Sequence, residues 1–264
     1  MKNFIDKCII RFCRILIPQF LLDYFLKVLL NLKGYNNFKN FKESGEKFFL
    51  CSILAKHKPE ICIDIGSNIG NYSKEILIST NSKVISFEPL KKPFSKLKDL
   101  QAEWGDRLLV VNKGLGANES NEIIYFNENS SSHASLLEEV NKLSYVSNQN
   151  QEEVMVTTLD IFLQQNPQNE SIDYIKIDTE GFEYNVLLGC KETIKLKRPK
   201  FIHIEFNWHQ LIKSQTLYSF SLLLNGYDVY QMLPNSIEKR DPLDPISNIY
   251  SYSNFVFIRK DISL

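Results

Sequence analysis

Ile172-Asp173-Tyr174-Ile175-Lys176-Ile177-Asp178-Thr179-Glu180-Gly181-Phe182-Glu183 is the stretch on which the reading of this chain turns. Tyr-Ile-Lys-Ile reads as a strand in the middle of a parallel sheet, and in open α/β folds the groups just past the carboxyl ends of such strands face the ligand crevice. Three acids, Asp178, Glu180 and Glu183, packed around one glycine then point at a site. A plainer reading is equally open: Asp178 caps the following helix, and Glu180 and Glu183 sit in its first turn, near the positive end of the dipole. The run alone does not choose between the two.

A second segment weighs on the choice. Ile61-Cys62-Ile63-Asp64-Ile65-Gly66-Ser67-Asn68-Ile69-Gly70-Asn71-Tyr72 reads as a short apolar strand, a glycine-containing turn and the start of a helix through Ile76 and Leu77. Glycines there let the backbone approach a ligand and let the helix pack on the strand. The spacing is Gly-x-x-x-Gly, so it is not the dinucleotide fingerprint, and Asn71-Tyr72 stands where a phosphate loop needs Lys-Ser or Lys-Thr. Asp64, two residues before the first glycine, suits a ligand that is cationic or rich in donors. Val84-Ile85-Ser86-Phe87-Glu88-Pro89 then forms a second strand ending in an acid roughly 20 residues beyond the turn, where a carboxylate typically holds ribose hydroxyls. By itself Glu88 is also readable as a strand-end residue before a turn proline.

Taken in order, Asp64-x-Gly66-x-Asn68-x-Gly70, Phe87-Glu88-Pro89 and Ile175-Lys176-Ile177-Asp178-Thr179-Glu180-Gly181-Phe182-Glu183 resemble the FkbM family of S-adenosylmethionine-dependent methyltransferases. Smaller matches at Val110 to Gly116, Ser131 to Leu136 and Val156 to Asp160 extend the resemblance, which runs from about Glu60 to about Ile204. It implies an α/β class I methyltransferase (Rossmann-like) fold, S-adenosyl-L-methionine as donor, and O-methylation of a hydroxyl on a sugar, glycan, glycolipid or secondary metabolite. Asp64, Gly66, Asn68, Gly70, Glu88 and Asp178 are the expected cofactor residues. The fold expected is a doubly wound, seven-stranded sheet with strands at Ile61 to Ile65, Val84 to Glu88, Leu108 to Asn112, Tyr174 to Ile177, Phe201 to Glu205, Tyr227 to Gln231 and Phe255 to Arg259, the last antiparallel to its neighbours. Ile123 to Phe126 and Val154 to Thr157 are expected to pair as an extra hairpin, joined by a long polar excursion from Asn127 to Gln151 that suits a lid over an acceptor sugar.

A sulfonium already activates the methyl group, so the protein has to align an acceptor oxygen and take its proton. The catalytic candidates are Glu180 and Asp178 at one strand exit, and His203 and Glu205, which share a strand face by the period of two. Glu180 is the first choice for the base. A lone histidine in Phe-Ile-His-Ile is as readily a satisfied core residue as a catalyst. The acids also resemble an oxygen-ligand site for Mg²⁺ or Ca²⁺; the family resemblance requires no metal, and none is assigned. Two rival functions remain: a nucleotide-sugar oxidoreductase or epimerase, whose G-x-G-x-x-G turn and Tyr-x-x-x-Lys pair are not in place, and a non-catalytic binding protein on the same fold. The intact Gly66, Gly70, Glu88, Asp178 and Glu180 weigh against the second.

Thirty-one basic against 31 acidic residues leave no broad basic face, so a nucleic-acid partner is not expected. The five cysteines, Cys8, Cys13, Cys51, Cys62 and Cys190, lack metal-ligand spacing and read as reduced thiols of a cytoplasmic protein. Residues 1–47 are read as an N-terminal amphipathic helical segment and linker, and 48–264 as the catalytic domain. From Phe4 to Leu32 the chain is rich in Ile, Leu and Phe but interrupted by charge, too much so for a membrane span or a cleaved signal. Pro18 divides it into two amphipathic helices, either a flap over the core or an interfacial pair at the inner face of the membrane.

Overall fold

The computed structural model describes residues 2–127, 130–142 and 146–264, with the side chains of residues 2–6, 8, 9 and 130–132 left aside. Twelve strands lie in it: β1 (Ile61–Ile65), β2 (Lys83–Phe87), β3 (Leu108–Val111), β4 (Gly114–Leu115), β5 (Ser120–Asn127), β6 (Ser130–Ser135), β7 (Asn150–Thr157), β8 (Ile172–Ile177), β9 (Phe201–Phe206), β10 (Tyr227–Leu233), β11 (Ser236–Lys239) and β12 (Ser253–Arg259). The main sheet runs β11-β10-β12-β9-β8-β1-β2-β3. Strands β9, β8, β1, β2 and β3 are parallel, whereas β12 is antiparallel to both β9 and β10. All seven expected strands are present, but the sheet has eight, because β10 turns back through a short hairpin into β11 at the edge.

Alternation along the strands divides the core into two layers. Ile63, Ile65, Ile175, Ile177, Ile202 and Ile204 pack on one face with helices Leu159–Gln165, Glu183–Leu188 and Leu217–Leu223. Cys62, Tyr174, Phe201 and Val256 pack on the other with Phe49, Leu50, Leu54, Ile76 and Leu77. Strand β8 is covered on both faces and all six of its residues are buried, including Asp173 and Lys176, which pair with Lys200 and Asp178. Each fully buried isoleucine contributes roughly 1.5–3 kcal/mol. The chain reverses its order across the sheet between β1 and β8, which opens a crevice at their carboxyl ends.

Strands β5 and β7 do pair antiparallel, with Ile124 opposite Glu152, and the excursion between them folds partly into a third strand, β6. With β4 they make a second, four-stranded sheet in the order β4-β7-β5-β6. Residues 128, 129 and 143–145 of that excursion lie outside the described residues.

At the amino end, α1 (Lys2–Leu16) and α2 (Gln19–Leu32) meet at Pro18, which opens α2 where its missing N–H is not needed. No residue of α2 is buried. Within the stretch from Lys33 to Lys47, expected to be a linker, Tyr35 and Asn36 are anchored to residues near the far end of the chain. Tyr35 is 1% exposed and its hydroxyl donates to the Ile246 carbonyl, while Asn36 N–H donates to the Tyr252 carbonyl at 2.8 Å. The composition of that stretch, rich in Asn and Lys, conceals the few residues that anchor it.

Candidate functional site

A cavity of about 760 Å³ opens where β1, β2, β8 and β9 end, within the size range of small-molecule sites. Ile65, Phe87, Leu115 and Ile124 give it apolar walls, and Gly66, Asn68, Glu88, Asp178, Glu180 and Glu205 bring the polar groups. Six of the nine expected site residues therefore line one cavity. Asp64, Gly70 and His203 do not.

The glycine turn explains part of this. Gly66 has φ 82°, and a Cβ on it would collide with the Asp178 carbonyl. The expected reason for this glycine was the approach of a ligand; the structure adds a nearer one, the close passage of two strand ends. Gly70 (φ 87°) precedes helix Asn71–Ser79, and a Cβ there would lie 2.6 Å from Leu97 and 2.7 Å from Leu100. It serves helix packing, outside the cavity lining. Asp64 faces the opposite side of the sheet from Ile63 and Ile65, fully buried, and takes a 2.5 Å hydrogen bond from Ser73 Oγ. Placed behind the turn, it braces the first turn of the helix rather than touching a ligand in the cavity.

Glu88 follows β2 directly, 5% exposed, with Oε2 accepting from Asn68 N–H at 2.8 Å and Oε1 from Leu90 N–H at 2.9 Å. Burial raises its pKa to about 7, against the opposing pull of those two amides. One lone pair on each oxygen remains for a ligand.

The acid loop is held from two sides. Asp178 N–H continues the ladder to the Ile65 carbonyl at 3.0 Å, and its Oδ2 meets Lys176 Nζ at 2.7 Å. Burial works against the charge on Lys176, but Asp178 and Asp64 outweigh it and its pKa ends above the ordinary lysine value. Glu180 adopts φ 53°, a left-handed conformation that costs a non-glycine residue about 1–3 kcal/mol and persists where the surroundings impose it. Here Ser135 Oγ holds the Glu180 carbonyl at 2.7 Å, and the side chain turns into the cavity, 16% exposed. Burial first, then Asp178, lifts the Glu180 pKa well above the carboxylate range; Glu205 is lifted likewise by burial, Asp178 and Glu180.

Glu183 has a different task from the other two acids of the run. It is 1% exposed, accepts from the Thr179 and Gly181 amides at 2.9 and 3.0 Å, and takes Gln210 Nε2 at 2.7 Å. It is the clamp of the loop, not part of the cavity wall.

His203 is buried in the core, with Nδ1 2.8 Å from the Tyr174 hydroxyl and Nε2 2.8 Å from Asn254 Oδ1. Both nitrogens are taken, burial lowers the pKa to about 3, and the dyad with Glu205 does not form. Glu205 reaches the cavity because it stands at the last turn of β9, where Asn207 Nδ2 donates to its Oε1 at 2.6 Å.

Several site residues carry no obvious signal in the sequence. His209 is fully buried with Nδ1 3.2 Å from Glu180 Oε2, and burial, then His133, lowers its pKa to about 4. It lies in the first turn of helix Trp208–Ile212, whose Asn207-x-x-Gln210 capping box is legible in the sequence. Phe38 and Tyr252, edge to face at 5.9 Å, form the far rim.

The Methyltransferase FkbM domain family matches residues 64–229, more than half of the chain. The chain belongs to the FkbM methyltransferase family. It is therefore an S-adenosylmethionine-dependent methyltransferase, and its main sheet is that of the class I enzymes. Among solved structures, this FkbM-domain chain is 14% identical to an O-methyltransferase from Bacillus cereus in complex with SAH, over 94% of either chain, with a TM-score of 0.48. It is 12% identical to an rRNA methylase from Streptococcus thermophilus, over 81% of this chain and 93% of that one, at a TM-score of 0.43. The C-terminal domain of precorrin-6Y C5,15-methyltransferase from Rhodobacter capsulatus is 10% identical over 87% of this chain and 95% of its own, also at 0.43. A search of curated proteins finds no match.

The cavity has the chemistry to take the donor: apolar walls suit an adenosyl group, and the carboxylates suit a positive sulfonium.

Proposed function

We propose that this enzyme transfers the methyl group to a hydroxyl of a sugar, glycan, glycolipid or secondary metabolite, and not to nucleic acid. The observation that carries the reading is the pair of carboxylates, Glu180 and Glu205, turned into the cavity with oxygens that no lysine or arginine neutralises among the described residues. Gly66, Asn68 and Glu88 hold the donor, Glu88 on the ribose hydroxyls, and Asp178 stands between donor and acceptor. S-adenosylmethionine supplies a methyl group already activated for attack. The chain supplies alignment, which contributes about 7–11 kcal/mol in well-oriented cases, and a base. As the acceptor oxygen takes the methyl group, its proton passes to the Glu180 carboxylate. A positive donor nearby favours the ionised form of that carboxylate, and its intrinsically high pKa makes it a strong proton acceptor once ionised. The test is calorimetry with S-adenosylmethionine and with NAD, followed by a labelled-donor screen of sugars, nucleotide sugars, lipid-linked glycans and rRNA. Donor binding and labelled sugar or glycan are expected; NAD binding or labelled rRNA alone would overturn the reading.

We further propose that α1 and α2 lie in a membrane interface on the cytoplasmic side. Phe20, Tyr24, Phe25, Leu29 and Leu32 of α2 are all more than half exposed, and Lys7, Arg11 and Arg14 share a face of α1. No helix among the described residues is long and apolar enough to cross a membrane. An apolar face flanked by basic residues fits an anionic surface. The full chain is expected to float with anionic vesicles and to be released by salt, and a chain starting at Gly34 to stay behind. Equal partitioning of both would refute the assignment.

A further inference from the structure

The carboxylates at the acceptor end of the cavity have the geometry of a cation site. One ligand oxygen each from Asp178, Glu180 and Glu205 can be chosen so that all lie within 4.8 Å of one another. That spacing is no more than about twice a Ca²⁺–oxygen distance of roughly 2.3–2.6 Å, and an all-oxygen set selects hard divalent ions. The three acids come from two adjacent strand ends, β8 and β9, whose ladder places Lys176 opposite His203 and so fixes their relative position. Lys176 meets Asp178 alone; Glu180 and Glu205 have no lysine or arginine partner among the described residues.

A second, independent observation points the same way. His209 is 0% exposed, neither of its ring nitrogens makes a hydrogen bond, and Nδ1 stands 3.2 Å from Glu180 Oε2. A buried polar group without a partner is costly. Carboxylates that bind a metal are themselves held by groups behind them, and an imidazole N–H against Glu180 is placed for that. We propose that Asp178, Glu180 and Glu205 bind one hard divalent cation, Ca²⁺, Mn²⁺ or Mg²⁺, with His209 holding Glu180 from behind. An acceptor hydroxyl reaching this end of the cavity would then meet the ion, which lowers the pKa of an oxygen bound to it and eases the passage of the proton to Glu180.

The test uses the full chain, stripped of metal, with each chloride salt alone and neither donor nor acceptor present, so its outcome is separate from that of the methyl-transfer reading. Calorimetry is expected to give one equivalent of at least one of the three ions. Glu180→Gln and Glu205→Gln should each weaken it at least about tenfold, and His209→Ala by roughly 10–100-fold, the range for a lost support of a metal ligand. Asp228→Asn, at the far edge of the sheet and paired with Lys239, should leave it unchanged. Tb³⁺ luminescence on the wild-type chain gives a reading independent of whether a variant folds: Trp208 lines the same cavity, so sensitised emission should be displaced by Ca²⁺. No saturable binding of any of the three ions and no sensitised emission would overturn the proposal, as would binding that survives both glutamate substitutions in folded protein.

Discussion

Tyr174 and His203 stand four and two residues before Asp178 and Glu205 on the same two strands, yet the two groups end in opposite states. In the first, the Tyr72 and Tyr174 hydroxyls lie 2.6 Å apart, Tyr174 reaches His203 Nδ1 at 2.8 Å, and His203 Nε2 reaches Asn254 Oδ1 at 2.8 Å. A neutral imidazole satisfies that chain completely, with Nε2–H donating to Asn254 and Nδ1 accepting from Tyr174. In the second, carboxylate oxygens of Glu180 and Glu205 open into a cavity with their pKa values driven up by burial and by Asp178. Both groups are polar, buried and close to Lys176. What separates a structural polar cluster from one open to a ligand here is whether its hydrogen-bond capacity is used up inside the protein.

The harshest way to break the contrast is at the junction of the two strand ends. Gly66→Val puts a branched side chain against the Asp178 carbonyl at a positive φ, and a loss of roughly 3–5 kcal/mol is expected from strain and overpacking together. Thermal melting should show the loss even without donor; a variant that melts like the wild type and fails only in donor binding would make the glycine a ligand-approach residue alone.

Next in size is Glu180→Gln, which keeps the shape but cannot take a proton. Turnover should fall by about 10²-fold while donor affinity stays within error. Single-turnover rates at saturating donor provide the measurement, and wild-type rates would remove Glu180 from proton transfer.

Glu88 sharpens the comparison through pH. Its pKa of about 7 lies above the unfolded value of roughly 4.3, so the folded state binds the extra proton and Glu88 lowers stability as pH rises from about 4.3 to 7. The ionised carboxylate is the better acceptor for ribose hydroxyls, so donor affinity should rise over the same window, levelling off above pH 7. Glu88→Gln should flatten that profile and weaken the donor by about 1.5–3 kcal/mol at high pH. Calorimetry across pH decides it. An unchanged profile in the folded variant would move the ribose site elsewhere.

The smallest effect belongs to the satisfied cluster. Tyr174→Phe deletes one hydroxyl from the hydrogen-bonded chain and should cost about 1–3 kcal/mol of stability, with donor affinity and turnover unchanged. A turnover loss greater than the stability loss explains would show that the two clusters communicate through Lys176.

How far the site was legible follows from the same contrast. Acids and glycines just past strand ends announce a crevice, which marks Gly66, Glu88, Asp178 and Glu180; Glu205 follows from sharing a strand face with His203, and Asn68 from the family resemblance. Sequence order does not say how deep along a strand the cavity reaches, so Asp64, Glu183 and His203 could not be separated from them. Asp64 and His203 lie two residues short of Gly66 and Glu205, inside the packed sheet, and Glu183 is turned inward by the amides of Thr179 and Gly181. Trp208, Tyr252 and Phe38 come from distant loops, and nothing short of the tertiary fold brings them together. The eighth strand was missed because Ser236–Lys239 is four residues long and mostly exposed, with no apolar run to mark it.

The position of β12 has a consequence for how the molecule is made. Residues 253–259 enter the sheet between β9 and β10, in the interior, and pair with both. Until they leave the ribosome, β9 and β10 each present an open edge lined by Phe201, Ile202 and Val229, the kind of surface that pairs with other chains. β1 likewise waits for β8, which lies more than a hundred residues downstream. Long-range closure of this sort slows folding and leaves such edges open for longer than a fold of hairpins would.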